Sequence, residues 1–256
     1  MSSKIKPMSW GLSILFFGIP AAISNFAIYG IMQRIHEKNV PVIVNYFASF
    51  VSLMACMLLA ALVAYRLEGN VLSIKSLGER FRLSPMRRVD WLWALGLFAF
   101  QAAIYVGLSA TAKWLIQYPL FAPPAYLPPD LDPRTQVGLA YTEFLGISLK
   151  GNWWLLFPFF VVMFFNIFGE EFWWRGYIFP RQELAFGKWT WLVHGTFWTL
   201  FHVFFRWRWL MIWPGALALS YVVQRTRNTW TAIFAHALQM ALALIPLILG
   251  ILGVSL

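Results

Sequence analysis

Apolar residues run along this chain in long blocks separated by short polar stretches. Seven blocks stand out: Trp10–Met32, Pro41–Tyr65, Trp91–Ile116, Trp153–Tyr177, Trp189–Phe205, Trp209–Val223 and Trp230–Val254. Each is near or somewhat below the roughly 20 residues that a helix needs to cross a hydrocarbon core. The fifth and sixth are short and are joined by Arg206-Trp207-Arg208, which suggests a tilted hairpin. An eighth, partial or re-entrant segment is expected around Val137–Ser148. The pattern predicts an all-α fold, a polytopic transmembrane helical bundle of about seven or eight spans. One integrated membrane domain is expected, with N-terminal spans and long loops over 1–150 and a helical core over 151–256.

Composition supports that reading. Of 256 residues 60% are apolar and 12% are charged, with a mean hydropathy of +0.65; a soluble domain carries about 25% charged residues. The 15 Trp, 9 Tyr and 24 Phe suit a bilayer protein with aromatic belts. The net charge of +10 does not point to nucleic acid, because the basic residues are scattered at the ends of apolar blocks as topology and headgroup anchors. With the N-terminus, Lys4 and Lys6 placed in the cytoplasm, inside segments carry 12 Lys and Arg against 6 outside. This favours an N-in orientation. The first block, at about 22 residues, is too long for a signal-peptide core and is read as a retained span. The short loops suggest a prokaryotic cytoplasmic membrane protein.

Two connections are long. Leu67–Asp90 is basic and is expected to lie along the cytoplasmic surface; Tyr118–Lys150 contains Ala122-Pro123-Pro124-Ala125-Tyr126-Leu127-Pro128-Pro129 and reads as extended or irregular. The single cysteine, Cys56, excludes an intrachain disulfide and is expected to be a small buried apolar residue.

Against this background, Asn166-Ile167-Phe168-Gly169-Glu170-Glu171-Phe172-Trp173-Trp174-Arg175-Gly176 is costly. Ionisable groups at membrane depth face a protein interior or wet cavity, pair with one another and mark working sites. Glu171 and Arg175 are four apart and share a helical face, with the acid N-terminal to the base. Glu170 points about 100° away, and Asn166 lies one turn before it on the same side. A structural Glu171–Arg175 pair with a free Glu170 is one division of labour; a wholly structural network bracing the helix is the other. His202 and His236 stand in the fifth and seventh blocks. Converging with Glu170, they would hold and deprotonate a water and stabilise an oxyanion. His194 is about 80° from His202 around the helix and is expected to be structural, and His36 to be solvated in a short loop.

Glu170-Glu171-x-x-x-Arg175-Gly176, then Trp198-x-x-x-His202, then His236 resembles the CPBP (CAAX protease and bacteriocin-processing) family, also called Abi, which includes the Rce1-type CAAX prenyl endopeptidases. The resemblance runs from about Trp153 to the C-terminus. It implies an intramembrane endopeptidase acting on a membrane-associated or lipidated peptide or protein. Glu170 would be the general base, His202 would help hold the attacking water, and His236 would polarise the carbonyl or stabilise the oxyanion. Glu171 and Arg175 would shape the site. The family was first described as metalloproteases and is now read as glutamate-driven. No cofactor is expected, although Glu170, His202 and His236 would be the ligands if a divalent metal such as zinc were bound.

The chain departs from the family pattern twice. Its second motif begins with Trp198 where Phe is usual, and Met240 stands where Asn usually follows the last histidine by four residues. Gln239 and Asn166 are the candidates to supply the missing oxyanion donor. The departure at Met240 keeps open a non-catalytic member, an immunity or scaffold protein that binds a membrane peptide. A proton-coupled carrier ranks behind both, since no repeat or paired broken helices are visible.

Overall fold

The computed structural model describes residues 5–128, 131–135 and 141–254. The chain forms a helical bundle whose first two long helices are α1 (Trp10–Glu37) and α2 (Val42–Leu67). A short α3 (Ile74–Arg80) leads to α4 (Arg88–Gly107) and α5 (Ser109–Leu115). The C-terminal half opens with α6 (Leu156–Glu170), which continues through π-helical turns over Glu171–Ile178 into α7 (Phe179–Phe186). Then follow α8 (Thr190–Phe201), α9 (Trp209–Thr226), α10 (Thr229–Leu242) and α11 (Leu244–Leu252).

Among the described residues, five helical stretches are long and apolar enough to cross a membrane. One of them, Trp153–Thr226, is a 74-residue stretch that contains the fourth, fifth and sixth apolar blocks. At 1.5 Å per residue such a run would be about 110 Å long if straight, far more than one crossing. It turns instead at Gly187, with φ 54°, and at Phe205, with φ −124° and ψ 42°.

Of the expected eighth segment, residues 137–140 lie outside the described residues, as do Lys4 and Pro129. The rest is no helix but a two-stranded antiparallel hairpin, Glu143–Phe144 against Ile147–Ser148. Its turn residues Leu145 and Gly146 both have positive φ, 50° and 77°, which suits the twist of a tight hairpin. The remaining described part of the Tyr118–Lys150 connection is irregular apart from a 3₁₀ turn at Pro119–Phe121.

Small residues set the helix approaches, as is usual where apolar packing alone must join helices in lipid. Gly169 of α6 faces the Met54 carbonyl of α2 so closely that a Cβ would collide with it. Gly195 of α8 does the same against α9, where a Cβ would lie 2.9 Å from the Ala216 carbonyl oxygen. The core between these contacts is aromatic. Phe17 stacks on Trp174 with ring centroids 4.4 Å apart, and Trp174 packs on Phe201 at 4.9 Å.

The Leu67–Asp90 connection does more than lie on a surface. Arg80 donates to the carbonyls of Gly176 (3.0 Å) and Tyr177 (3.4 Å) in the π-helical turns. Phe81 accepts from the Thr229 hydroxyl at 2.7 Å, and Ser84 from the Asn228 side-chain amide at 3.0 Å. One loop thus splints the helix bearing Glu170 and Glu171 to the start of the helix bearing His236. Two smaller expectations are corrected. Cys56 is exposed, lining an apolar cleft between α1 and α2 with Leu15, Ile19 and Met57; an outward apolar position needs no protein cover when its solvent is lipid. His36 lies in the last turn of α1, not in a loop, and remains exposed.

Candidate active site

The acidic motif sits where the α-helix changes pitch. Glu170 ends α6 and Glu171 begins the π-helical turns. Such turns are rare and are frequent at functional sites, because widening the helix re-aims side chains and loosens backbone bonding. Both carboxylates are buried, with Glu170 4% exposed and Glu171 and Arg175 fully enclosed.

Glu171 and Arg175 form the expected pair, Nη1 to Oε1 at 3.3 Å. His236 joins it: its Nδ1 lies 3.0 Å from the same Oε1. A carboxylate oxygen accepts, so Nδ1 carries a proton and Nε2 is the ring nitrogen left for other work. His236 keeps 15% side-chain exposure, so the imidazole is the least enclosed member of this trio.

Glu170 has different partners. The indole N–H of Trp198 donates to its Oε2 at 2.9 Å, and the Asn166 side-chain amide donates to its Oε1 at 3.4 Å. Trp198 and His202 are four residues apart at the end of α8, and His202 Nδ1 lies 2.8 Å from the Trp198 carbonyl oxygen. That oxygen can only accept, so Nδ1 holds the proton, and in the neutral ring Nε2 is then the lone pair. Arg175 lies over the Trp198 ring at 4.4 Å. Glu170 and His236 are within electrostatic range of each other, as are His202 and His236.

The structure therefore gathers Asn166, Glu170, Glu171, Arg175, His202 and His236 into one connected region drawn from α6 and its extension, α8 and α10. Gln239 stays outside it, with no hydrogen bond to any site residue among the described residues. Met240 is half-buried in α10 and has no donor to offer. His194 is structural as expected: it is fully buried, and its Nδ1 lies 2.6 Å from Gln182 Oε1, while Gln182 donates to Ser13 at 3.0 Å. Among the described residues no three His, Cys, Asp or Glu side chains gather as a metal-ligand set. Glu170, His202 and His236 do not form one.

Sequence reasoning treated Trp198 only as a motif aromatic. Its spacing of four from His202 was the available signal, since it places both on one helical face. Gln182 gave no signal, because the contact with His194 is made across Gly187.

The site is thus a pair of adjacent buried carboxylates, Glu171 bonded to His236 and Glu170 linked through Trp198 to His202, within a bundle of apolar helices. Residues 152–242 match the family described as type II CAAX prenyl endopeptidase Rce1-like, and that segment carries the whole motif series. The similarity to the Rce1-like family is confined to that segment and rests on the same residues that carry the sequence resemblance. No curated protein matches the chain. No solved structure matches it either.

Proposed function

We propose that the chain is an intramembrane endopeptidase that hydrolyses a peptide bond in a membrane-associated peptide or protein. Glu170 takes the proton of the attacking water, with the unprotonated Nε2 of His202 as the second acceptor that holds it. His236, oriented by its Nδ1–H bond to Glu171, directs Nε2 at the substrate carbonyl; a proton there makes it the oxyanion donor. This is the logic of an imidazole oriented by a buried carboxylate. Arg175 balances the two glutamates. The apolar blocks are read as seven spans with the N-terminus in the cytoplasm, residues 151–256 as the catalytic core and 1–150 as its supporting helices. The observation that carries the reading is the Glu170 carboxylate, nearly fully buried and held by two neutral donors. An isolated buried ion held only by neutral donors is expensive, and neither neighbour neutralises it by a direct ion pair. The match to a protease family lends nothing to the scaffold alternative.

The test uses the full chain in liposomes with a farnesylated peptide ending in Cys and three further residues, alongside the same peptide without the lipid, products being read by mass spectrometry. Glu170→Gln keeps the side-chain volume and loses the base. Cleavage should fall by about 10³-fold, within the usual worth of general-base catalysis, while the protein still elutes as a folded species. Unchanged turnover by Glu170→Gln would overturn the assignment.

A further inference from the structure

Four indole nitrogens of the described core, those of Trp173, Trp174, Trp207 and Trp209, are buried without an acceptor. The indole of Trp198 differs: its N–H meets Glu170 Oε2 at 2.9 Å. The same residue holds His202 through its backbone carbonyl at 2.8 Å. Its ring covers the Arg175 guanidinium at 4.4 Å and abuts the His202 ring edge-on, with centroids 4.7 Å apart. One residue thus touches the carboxylate, an imidazole and the balancing cation. Phenylalanine could supply the ring contacts and the backbone carbonyl. It could not supply the N–H.

The residue is itself well anchored. Gly195 lies against the Ala216 carbonyl, where even a methyl group would not fit comfortably, and the neighbouring Thr199 hydroxyl bonds back to the Gly195 carbonyl at 2.9 Å. α8 is therefore held close against α9 at Gly195, three residues before Trp198. The other donor to Glu170, Asn166, reaches it at 3.4 Å, near the outer limit of a useful hydrogen bond. The orientation of Glu170 depends mainly on the indole.

We propose that Trp198 is a positioning residue that sets the Glu170 carboxylate and the His202 imidazole in one fixed register. The proposal rests on the reading of Glu170 as the base for its kinetic consequence, but not for its structural one. The Trp198 N–H takes up one Glu170 oxygen and so leaves Oε1, on the Asn166 side, as the oxygen available to water. A carboxylate free to rotate would present either oxygen, and misplacement by about 1 Å can cost ~10² in rate.

Trp198→Phe tests this, since it keeps a ring over Arg175 and beside His202. In lipid nanodiscs with ¹⁵N-labelled tryptophan, the Trp198 indole signal is assigned by its loss in Trp198→Phe. That signal should shift in Glu170→Ala and stay in place in Glu68→Gln. With the farnesylated peptide as probe, Trp198→Phe should lower kcat by up to about 100-fold with KM little changed. A Trp198 signal indifferent to Glu170→Ala overturns the contact and the proposal with it. A clear shift with equal kcat in wild type and Trp198→Phe overturns the positioning role. If wild type cleaves no peptide at all, the protease reading has failed. The Glu170 side-chain carboxyl ¹³C signal then decides the proposal: a change in Trp198→Phe sustains the fixed orientation, and no change overturns it.

Discussion

Glu68 and Glu171 are both carboxylates paired with arginine, and the two clusters lie close together, because Arg80 of the first bonds the backbone of the helix that bears the second. They are completed very differently. Both oxygens of Glu68 are taken: Oε2 by Arg80 Nε at 2.6 Å, and Oε1 by Arg80 Nη2 at 2.9 Å and Arg181 Nη1 at 2.8 Å. Glu171 is fully buried, yet a single oxygen serves both Arg175 and His236, while Oε2 has no partner. Arg175 likewise leaves Nε and Nη2 without an acceptor. Each unmade bond to a buried polar group costs about 1–3 kcal/mol. Arg181 Nε also lacks a partner, so the contrast lies in the carboxylates themselves: Glu68 is bonded at both oxygens and Glu171 at one. The proposed function makes the first a brace and the second part of a working site.

The largest effect expected from breaking this contrast is on the brace. Glu68→Ala leaves Arg80, whose side chain is 5% exposed, without its carboxylate. Removing one partner of a buried pair costs about 3 kcal/mol or slightly more. Chemical unfolding in detergent should show the loss, and a change below the scatter between preparations would mean that the arginine carbonyl contacts suffice alone. At the working site the expected effect is catalytic. Glu171→Gln keeps an acceptor for Arg175 but offers His236 an amide in place of a carboxylate, so the ring orientation is no longer dictated. Cleavage of the farnesylated peptide should fall by about 10²-fold, the worth of one oxyanion donor. If Glu171→Gln instead unfolds the protein while cleavage per folded molecule is unchanged, Glu171 is a second brace and the contrast fails.

How far the sequence revealed these two clusters follows from what each is made of. The membrane bundle was legible because apolar blocks leave few alternatives, and the site helices were legible because Glu170, Glu171 and Arg175 are costly in such a block. His202 and His236 were readable for the same reason. The Glu68 brace was invisible: its members come from the end of α2, from α3 and from α7, and in sequence they look like ordinary surface charges. The indole contact of Trp198 was hidden too, since tryptophan in a membrane protein normally signals an interface anchor. The pitch change after Glu170 left no mark that a 3.6-residue periodicity could detect, though the Glu171–Arg175 pair survived it. Cys56 was misplaced because burial arguments built for water do not hold on a lipid-facing helix.

The smallest expected effect sharpens the comparison through pH. Glu68 stands just past the end of α2, and partial burial there works against its charge. Arg80, by hydrogen bond and by charge, together with Arg181, outweighs that burial and holds the carboxyl below its ordinary value of 4.5. A carboxyl whose folded value lies below its unfolded one contributes stability that is fully present above the unfolded value. That contribution is lost as pH falls through the folded value. Between pH 7 and pH 6 the unfolding free energies of wild type and Glu68→Gln should therefore differ by a constant amount. Below about pH 4.5 the gap should narrow, by no more than about 1 kcal/mol, since the pair keeps some access to water. A difference that stays constant down to pH 3 would show that the Arg80 and Arg181 contacts act on Glu68 through shape alone, and the brace would then owe its strength to the carbonyls of Gly176 and Tyr177 and not to charge.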